Sequence, residues 1–147
     1  MRISILEPQD TRRDELIEYA CNCSWSAGSF LAQLMEAGAF KDDWERVIYA
    51  YNRQGICGFC TVSRHDCIRD VEYSPYIGFV FVDESQRGSR VSQHMIELAM
   101  NYLRSQGFKE VYLVSDHENL YEKFGFRVID HAMAPWGSMQ QIFVQTL

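Results

Sequence analysis

The sequence predicts an α/β fold organised on a mixed β-sheet, and three patterns carry that reading. Short β-branched and aromatic runs recur, among them "RVIYAYN", "GICGFCTVSRH", "YIGFVFVD" and "KEVYLVSD". One long amphipathic segment places Val91, Met95, Leu98, Ala99 and Tyr102 at helical spacings and stops at Gly107. That segment lies between two apolar runs with short connections. This is a βαβ unit, which requires parallel strands and a right-handed crossover.

The remaining elements follow in chain order. "RISIL" alternates and opens the chain as a strand. "TRRDELIEYACNCSW" reads as a helix, with Asp14 and Glu15 early, where the helix dipole favours anions, and Leu16, Ile17, Tyr19 and Ala20 apolar. "SFLAQLMEAGAF" reads as a second, short helix capped by Ser29 and stopped by Gly38. "RQG", with Gly55, turns the next two runs into an antiparallel hairpin. "YIGFVFVD" is apolar on both faces, as a central strand is. After "KEVYLVSD" come a short helix in "ENLYEKFGF", ended by Gly125, and two last strands, "FRVIDHAMA" and "QQIFVQTL", about the Pro135-Trp136-Gly137 turn.

The chain has 147 residues, 47% apolar and 23% charged, which suits one globular domain spanning residues 1–147. A net charge of -6 argues against a general nucleic-acid binder. The longest apolar run, Tyr76 to Val82, is far too short for a membrane span, and "MRISILEPQD" has no signal-peptide pattern, so a soluble cytoplasmic protein is expected. Five cysteines, an odd number, point to reduced thiols. Cys57 and Cys60 lie three apart in a strand, a spacing that sends regular strand side chains to opposite faces, so no metal site is expected there. The terminal strand, with Ile142, Phe143 and Val144, reads as a sheet edge, from which a homodimer is expected.

Arg87, Gly88, Ser89, Arg90 and Ser92 stand at the mouth of the long helix, just past the carboxyl end of a central strand. A helix start presents amides without intrahelical partners and a partial positive charge, so an anion fits there. Two guanidinium groups and two hydroxyls strengthen the site, and Gly88 allows close backbone approach. No G-x-x-x-x-G-K-[ST] and no G-x-G-x-x-G occurs, which excludes the P-loop and dinucleotide-binding motifs.

The order of elements, the hexapeptide Arg87-Gly88-Ser89-Arg90-Val91-Ser92 and the segment Leu120-Tyr121-Glu122-Lys123-Phe124-Gly125-Phe126 together resemble the GNAT family of N-acetyltransferases over essentially the whole chain. The family's [QR]-x-x-G-x-[GA] signature matches at Arg87; Arg90 and Ser92 replace its glycine and its final small residue. The resemblance implies a mostly antiparallel sheet of about seven strands with four helices, acetyl-CoA as acyl donor, and direct attack by a primary amine of a small molecule or peptide. It implies that residues 87–92 hold the pyrophosphate, that Phe81 and Val82 line the pantetheine arm, with the Val82 amide meeting the oxyanion, and that Tyr121 is the general acid. A tyrosine pKa near ~10 is close enough to that of a thiol for this role. Glu72, Asp83, His65 and His117 are the titratable groups near the central strands, and none is singled out as base. Trp25, Phe30, Trp44, Tyr73, Tyr76 and Trp136 fall in the regions that build the acceptor pocket. A non-catalytic acyl-CoA-binding module with the same fold is the alternative.

Overall fold

Apolar side chains alternate along the strands and therefore feed two cores, one on each face of a sheet. A computed structural model describing residues 1–147 shows that sheet. It contains β1 (Arg2–Ile5), β2 (Arg46–Asn52), β3 (Gly55–Ser63), β4 (Tyr76–Val82), β5 (Glu110–Ser115), β6 (Arg127–Met133) and β7 (Met139–Thr146), in the order β1-β2-β3-β4-β5-β7-β6. Only β4 and β5 are parallel. Helix α1 (Arg13–Asn22) and helix α2 (Ala27–Glu36) cover one face with Leu16, Ala20, Leu31 and Met35, against Val47, Tyr49, Phe59 and Phe81. Helix α3 (Val91–Ser105) covers the other with Val91, Met95, Ile96, Ala99 and Leu103, against Ile48, Cys60, Val62 and Ile77. Each fully buried Leu or Ile in these layers contributes about 1.5–3 kcal/mol.

Four expectations change. The fourth helix is a single 3-10 turn, Tyr121–Phe124, closed by Gly125 at φ 91°, because four residues cannot build an α-helical ladder. The second helix starts at Ala27, so Ser29 lies inside it and donates its hydroxyl to the Ser26 carbonyl rather than capping the end. β7 is internal, between β5 and β6, so its apolar residues are paired within the sheet and give no reason for a dimer. Cys57 sits at a β-bulge, between the Ala50↔Gly58 and Tyr51↔Ile56 pairs, which shifts the alternation and puts it in the same core cluster as Cys60.

The parallel pair is the main departure from a regular sheet. β4 and β5 are paired only at Tyr76↔Tyr112, and beyond that bridge the two strands are no longer paired. A bulge helps β4 leave: between Phe59↔Phe81 and Thr61↔Gly78, Phe79 and Val80 together face the single residue Cys60, and Phe79 takes φ 49°.

Gly28 sets how closely α2 meets α1, since a Cβ there would lie against the Ala20 carbonyl oxygen and 2.5 Å from Cys23 Sγ. Gly28→Ala should therefore overpack the helix pair by about 1–3 kcal/mol. Thermal melting should show a Tm lower by several degrees; an unchanged Tm would mean the pair separates freely.

Candidate active site

The turn after β4 is built as the sequence suggests. Gly88 has φ 86° with open space around it, and Arg90 has φ 61° as the N-cap of α3, with no side-chain cap bond. His94 N–H donates to the Arg90 carbonyl, so the amides of Val91, Ser92 and Gln93 lie before the helical ladder begins. Arg87, Gly88, Ser89 and Arg90 are exposed, and Ser92 is half-buried. Neither arginine joins the ion pairs Arg13–Asp14, Arg46–Glu7 or Arg64–Asp42. Arg87 Nε donates to the Val82 carbonyl at 3.2 Å, tying the turn to the strand end. Val91 is buried and anchors the helix in the core.

Open amides, two free cations and a bare glycine fit a pyrophosphate. Arg90 shows how the chain departs from the family signature: the backbone there keeps the left-handed conformation that glycine adopts freely.

The separation of β4 from β5 exposes backbone. Asp83 N–H donates to the Cys57 carbonyl across β3, so strand alternation directs the Val82 amide to the other edge, toward the gap. Val82 packs on the α3 face, whereas Phe81 is buried on the α1–α2 face, so only Val82 belongs to the α3-side wall. Tyr121 is buried, edge-on to Phe126 at 6.3 Å and tilted against Phe143 at 5.8 Å. Burial, then the neighbouring Cys60, pushes its hydroxyl up to about 12, and no hydrogen bond from the protein enters that balance. The hydroxyl therefore keeps its proton throughout the neutral range and is a weaker acid than the sequence suggests.

The aromatic residues expected around an acceptor divide. Trp25 stacks on Phe81 at 6.1 Å, and Phe79, at the bulge, meets Trp25 and Phe30, each at 6.2 Å. Trp25 and Phe30 remain exposed. Trp44 instead packs on Phe108 at 4.8 Å in the opposite core, Tyr73 bonds Asp130, Tyr76 is fully buried, and Trp136 is exposed on the β6–β7 turn. Beside α1 a cavity of about 510 Å³ is lined by Glu15, Glu18, Tyr19, Asp83 and Glu84, with no lysine or arginine.

His65, Glu72 and His117 are exposed. Asp83 accepts from the Ser85 amide at 3.1 Å, the Ser85 hydroxyl at 2.9 Å and the Tyr19 hydroxyl at 3.3 Å. The Ser85 bonds above all hold its carboxyl below the usual range, which makes it a poor base. The sequence reading passed over Phe79 and Asp66. Asp66 Oδ1 lies over Gly78, 2.5 Å from where a Cβ would stand, with Thr61 Oγ1 at 3.2 Å from the same point. A glycine within a strand marks such close approach, and Gly78 was the available signal.

A seven-stranded sheet opened between two parallel strands, with a basic turn at the start of the helix that joins them, defines an α/β frame with an anion site beside an unpaired strand edge. A family model for the acetyltransferase (GNAT) domain matches residues 43–128, and the chain belongs to that family. Over 97 residues it is 28% identical to N-alpha-acetyltransferase 30 of Saccharomyces cerevisiae, covering 59% of this chain and 55% of that protein. The chain thus spans about half the length of that curated relative. An aminoglycoside 6'-N-acetyltransferase complexed with coenzyme A superposes with a TM-score of 0.74 at 16% identity, over 99% of this chain and 97% of that one. The aminoglycoside 6'-N-acetyltransferase of Enterococcus faecium gives 0.74 at 15% identity with the same coverage of 99% and 97%.

Arg90→Gly should remove a left-handed side-chain penalty of about 1–2 kcal/mol and add about 0.5–1 kcal/mol of glycine entropy. The expected Tm is equal to or slightly above that of the parent. A fall of several degrees would show that the Arg90 side chain holds the turn.

Proposed function

We propose that residues 1–147 act as one domain that transfers an acetyl group from acetyl-CoA to a primary amine of a small molecule or peptide. The observation that carries this is the solvent-open basic turn at the start of α3, continuous with the unpaired edge of β4. Bound acetyl-CoA supplies the acetyl group as an activated thioester. Residues 87–92 hold its pyrophosphate through the α3 amides and the two guanidinium groups. Val82 lines the pantetheine arm, and its gap-facing amide stabilises the oxyanion. Phe81 supports that wall from the opposite face.

Tyr121, protonated throughout the neutral range and without a protein partner for its hydroxyl, meets the departing thiolate as a hydrogen-bond and proton donor. The acceptor approaches on the α1–α2 face, where Trp25, Phe30 and Phe79 offer aromatic faces and the nearby carboxylates favour a cation. The five unpaired cysteines fit a reducing, cytoplasmic setting.

Acetyl-CoA at a hundredfold excess over its Kd should stabilise the protein by about 2.7 kcal/mol, seen as a raised Tm. Arg87→Glu should abolish most of that gain. No shift and no heat of binding would overturn the cofactor assignment, whereas a shift without acetylation of any amine would indicate a binding module.

Tyr121→Phe keeps the ring that packs against Phe126 and Phe143, so Tm and the acetyl-CoA shift should be retained. Its kcat should fall by about 10²-fold, a loss confined to the transition state. Full activity in this variant would remove Tyr121 from the mechanism.

A further inference from the structure

Two hydroxyls on the α1–α2 face are enclosed where apolar packing would be expected, and a half-buried aspartate lies beside them. Thr61 and Tyr76 are each 1% exposed, and their hydroxyls have no hydrogen-bond partner. Asp66, from the β3–β4 connection, turns its carboxylate inward over Gly78 beside Thr61. One carboxylate oxygen accepts from the Cys67 amide at 2.8 Å; the other faces Gly78 and accepts no bond. An enclosed hydroxyl without a partner costs about 1–3 kcal/mol. Thr61 Oγ1 and the Asp66 carboxylate meet over Gly78, and Asp66 also acts on the Tyr76 hydroxyl, so the three form one polar cluster.

The location is specific. Cys60 belongs to the α3 core, and strand alternation turns the adjacent Thr61 to the other face, the side of Phe59 in the α1–α2 core. Tyr121 lies by Cys60, and Asp66 lies by Thr61. Tyr121 and Asp66 therefore flank the sheet at one level, next to the bulge at Phe79 and the inner end of the β4–β5 gap.

We propose that Asp66, with Thr61 and Tyr76, receives the ammonium group of the acceptor and takes its proton. This rests on the acetyl-transfer reading above. One proton passes from the ammonium nitrogen to Asp66 Oδ1, directly or through one water, and leaves to solvent. The freed lone pair forms the C–N bond as the C–S bond breaks and sulfur keeps the bonding pair. Tyr121 protonates the thiolate, and the second nitrogen proton replaces the one that Tyr121 gave.

Burial raises the Asp66 carboxyl above its usual range, against the two Cys67 hydrogen bonds, and so makes it a better base than an exposed aspartate. The titratable groups facing it are Cys67, pushed up to about 12 by burial and by Asp66, and Tyr76 from β4, also raised by burial and Asp66. Neither ionises near neutrality, and no cation contributes to the Asp66 balance. Because its folded-state value is raised, its stabilising contribution is present at low pH and is lost as pH rises through that value.

Asp66→Asn tests this, since the amide oxygen can still accept from Cys67. The expected Tm at pH 7 is equal or higher, the acetyl-CoA shift is unchanged, and kcat/KM for propylamine or an unblocked tetrapeptide falls by about 10²-fold. The rise of kcat/KM with pH should move up to the pKa of the amine itself. Thr61→Val should raise KM with the pH profile retained. Activity per folded molecule and a pH profile like those of the parent in Asp66→Asn would overturn the proposal, as would a lowered Tm with normal kcat. Should the parent protein bind acetyl-CoA yet acetylate no amine, the transfer reading fails separately. The Asp66 ¹³Cγ resonance of the CoA-loaded protein then decides this one: a shift on titration with propylammonium supports it, and no response overturns it.

Discussion

A parallel strand pair that opens in the middle of a sheet is the constraint on which the rest of the structure depends. Backbone amides and carbonyls inside a protein need partners, and β4 gives up those of β5 after Tyr76. Its other edge stays paired with β3, interrupted only by the bulge at Phe79, so the strand bends away without coming loose. At the far end the Arg87 side chain takes the Val82 carbonyl that no strand reaches. What remains is an unpaired edge held on a rigid frame. A thioester arm with its own amides is a natural partner for such an edge, which is why the proposed cofactor path follows it.

The turn at residues 87–92 extends the same logic to charge. The α3 amides need acceptors, and Arg90, the residue at the cap, offers none from its side chain. It holds a left-handed conformation at some energetic cost and keeps its charge beside the open helix end. A glycine would remove the strain and the cation together. The departure from the family signature therefore exchanges backbone ease for electrostatics, while the backbone path itself is preserved.

Much of this was legible in the sequence, because it rests on local patterns. The βαβ unit follows from the periodicity of α3 between two apolar runs, and the phosphate turn from its composition. Strand order was not legible: "QQIFVQTL" reads equally well as an edge or an interior strand, and only the pairing with both β5 and β6 places it inside. The Cys57 bulge escaped for a related reason, since one extra residue shifts a strand's alternation without a marker in composition. Asp66 was invisible because its environment is made by three separate segments: the β3–β4 connection, Thr61 and Gly78. Nothing in "SRHDCIRD" distinguishes it from its exposed neighbours Arg64, His65 and Asp70.

Burial acts on two groups with opposite consequences for the proposed chemistry. At Tyr121 it holds a proton in place, so a donor is always ready on the α3 face. At Asp66 it makes the carboxylate hold a proton more firmly than in water, so an acceptor stands on the other face. Asp83, bathed in hydrogen bonds at the end of β4, moves the other way and remains an anion with little appetite for a proton. Two aspartates near one strand thus differ in role through their surroundings alone. The cost falls on stability, since the hydroxyls of Thr61 and Tyr76 are enclosed without a partner. The cores on both faces of the sheet offset that cost, and they hold the two groups at one level on opposite sides of the opening between β4 and β5.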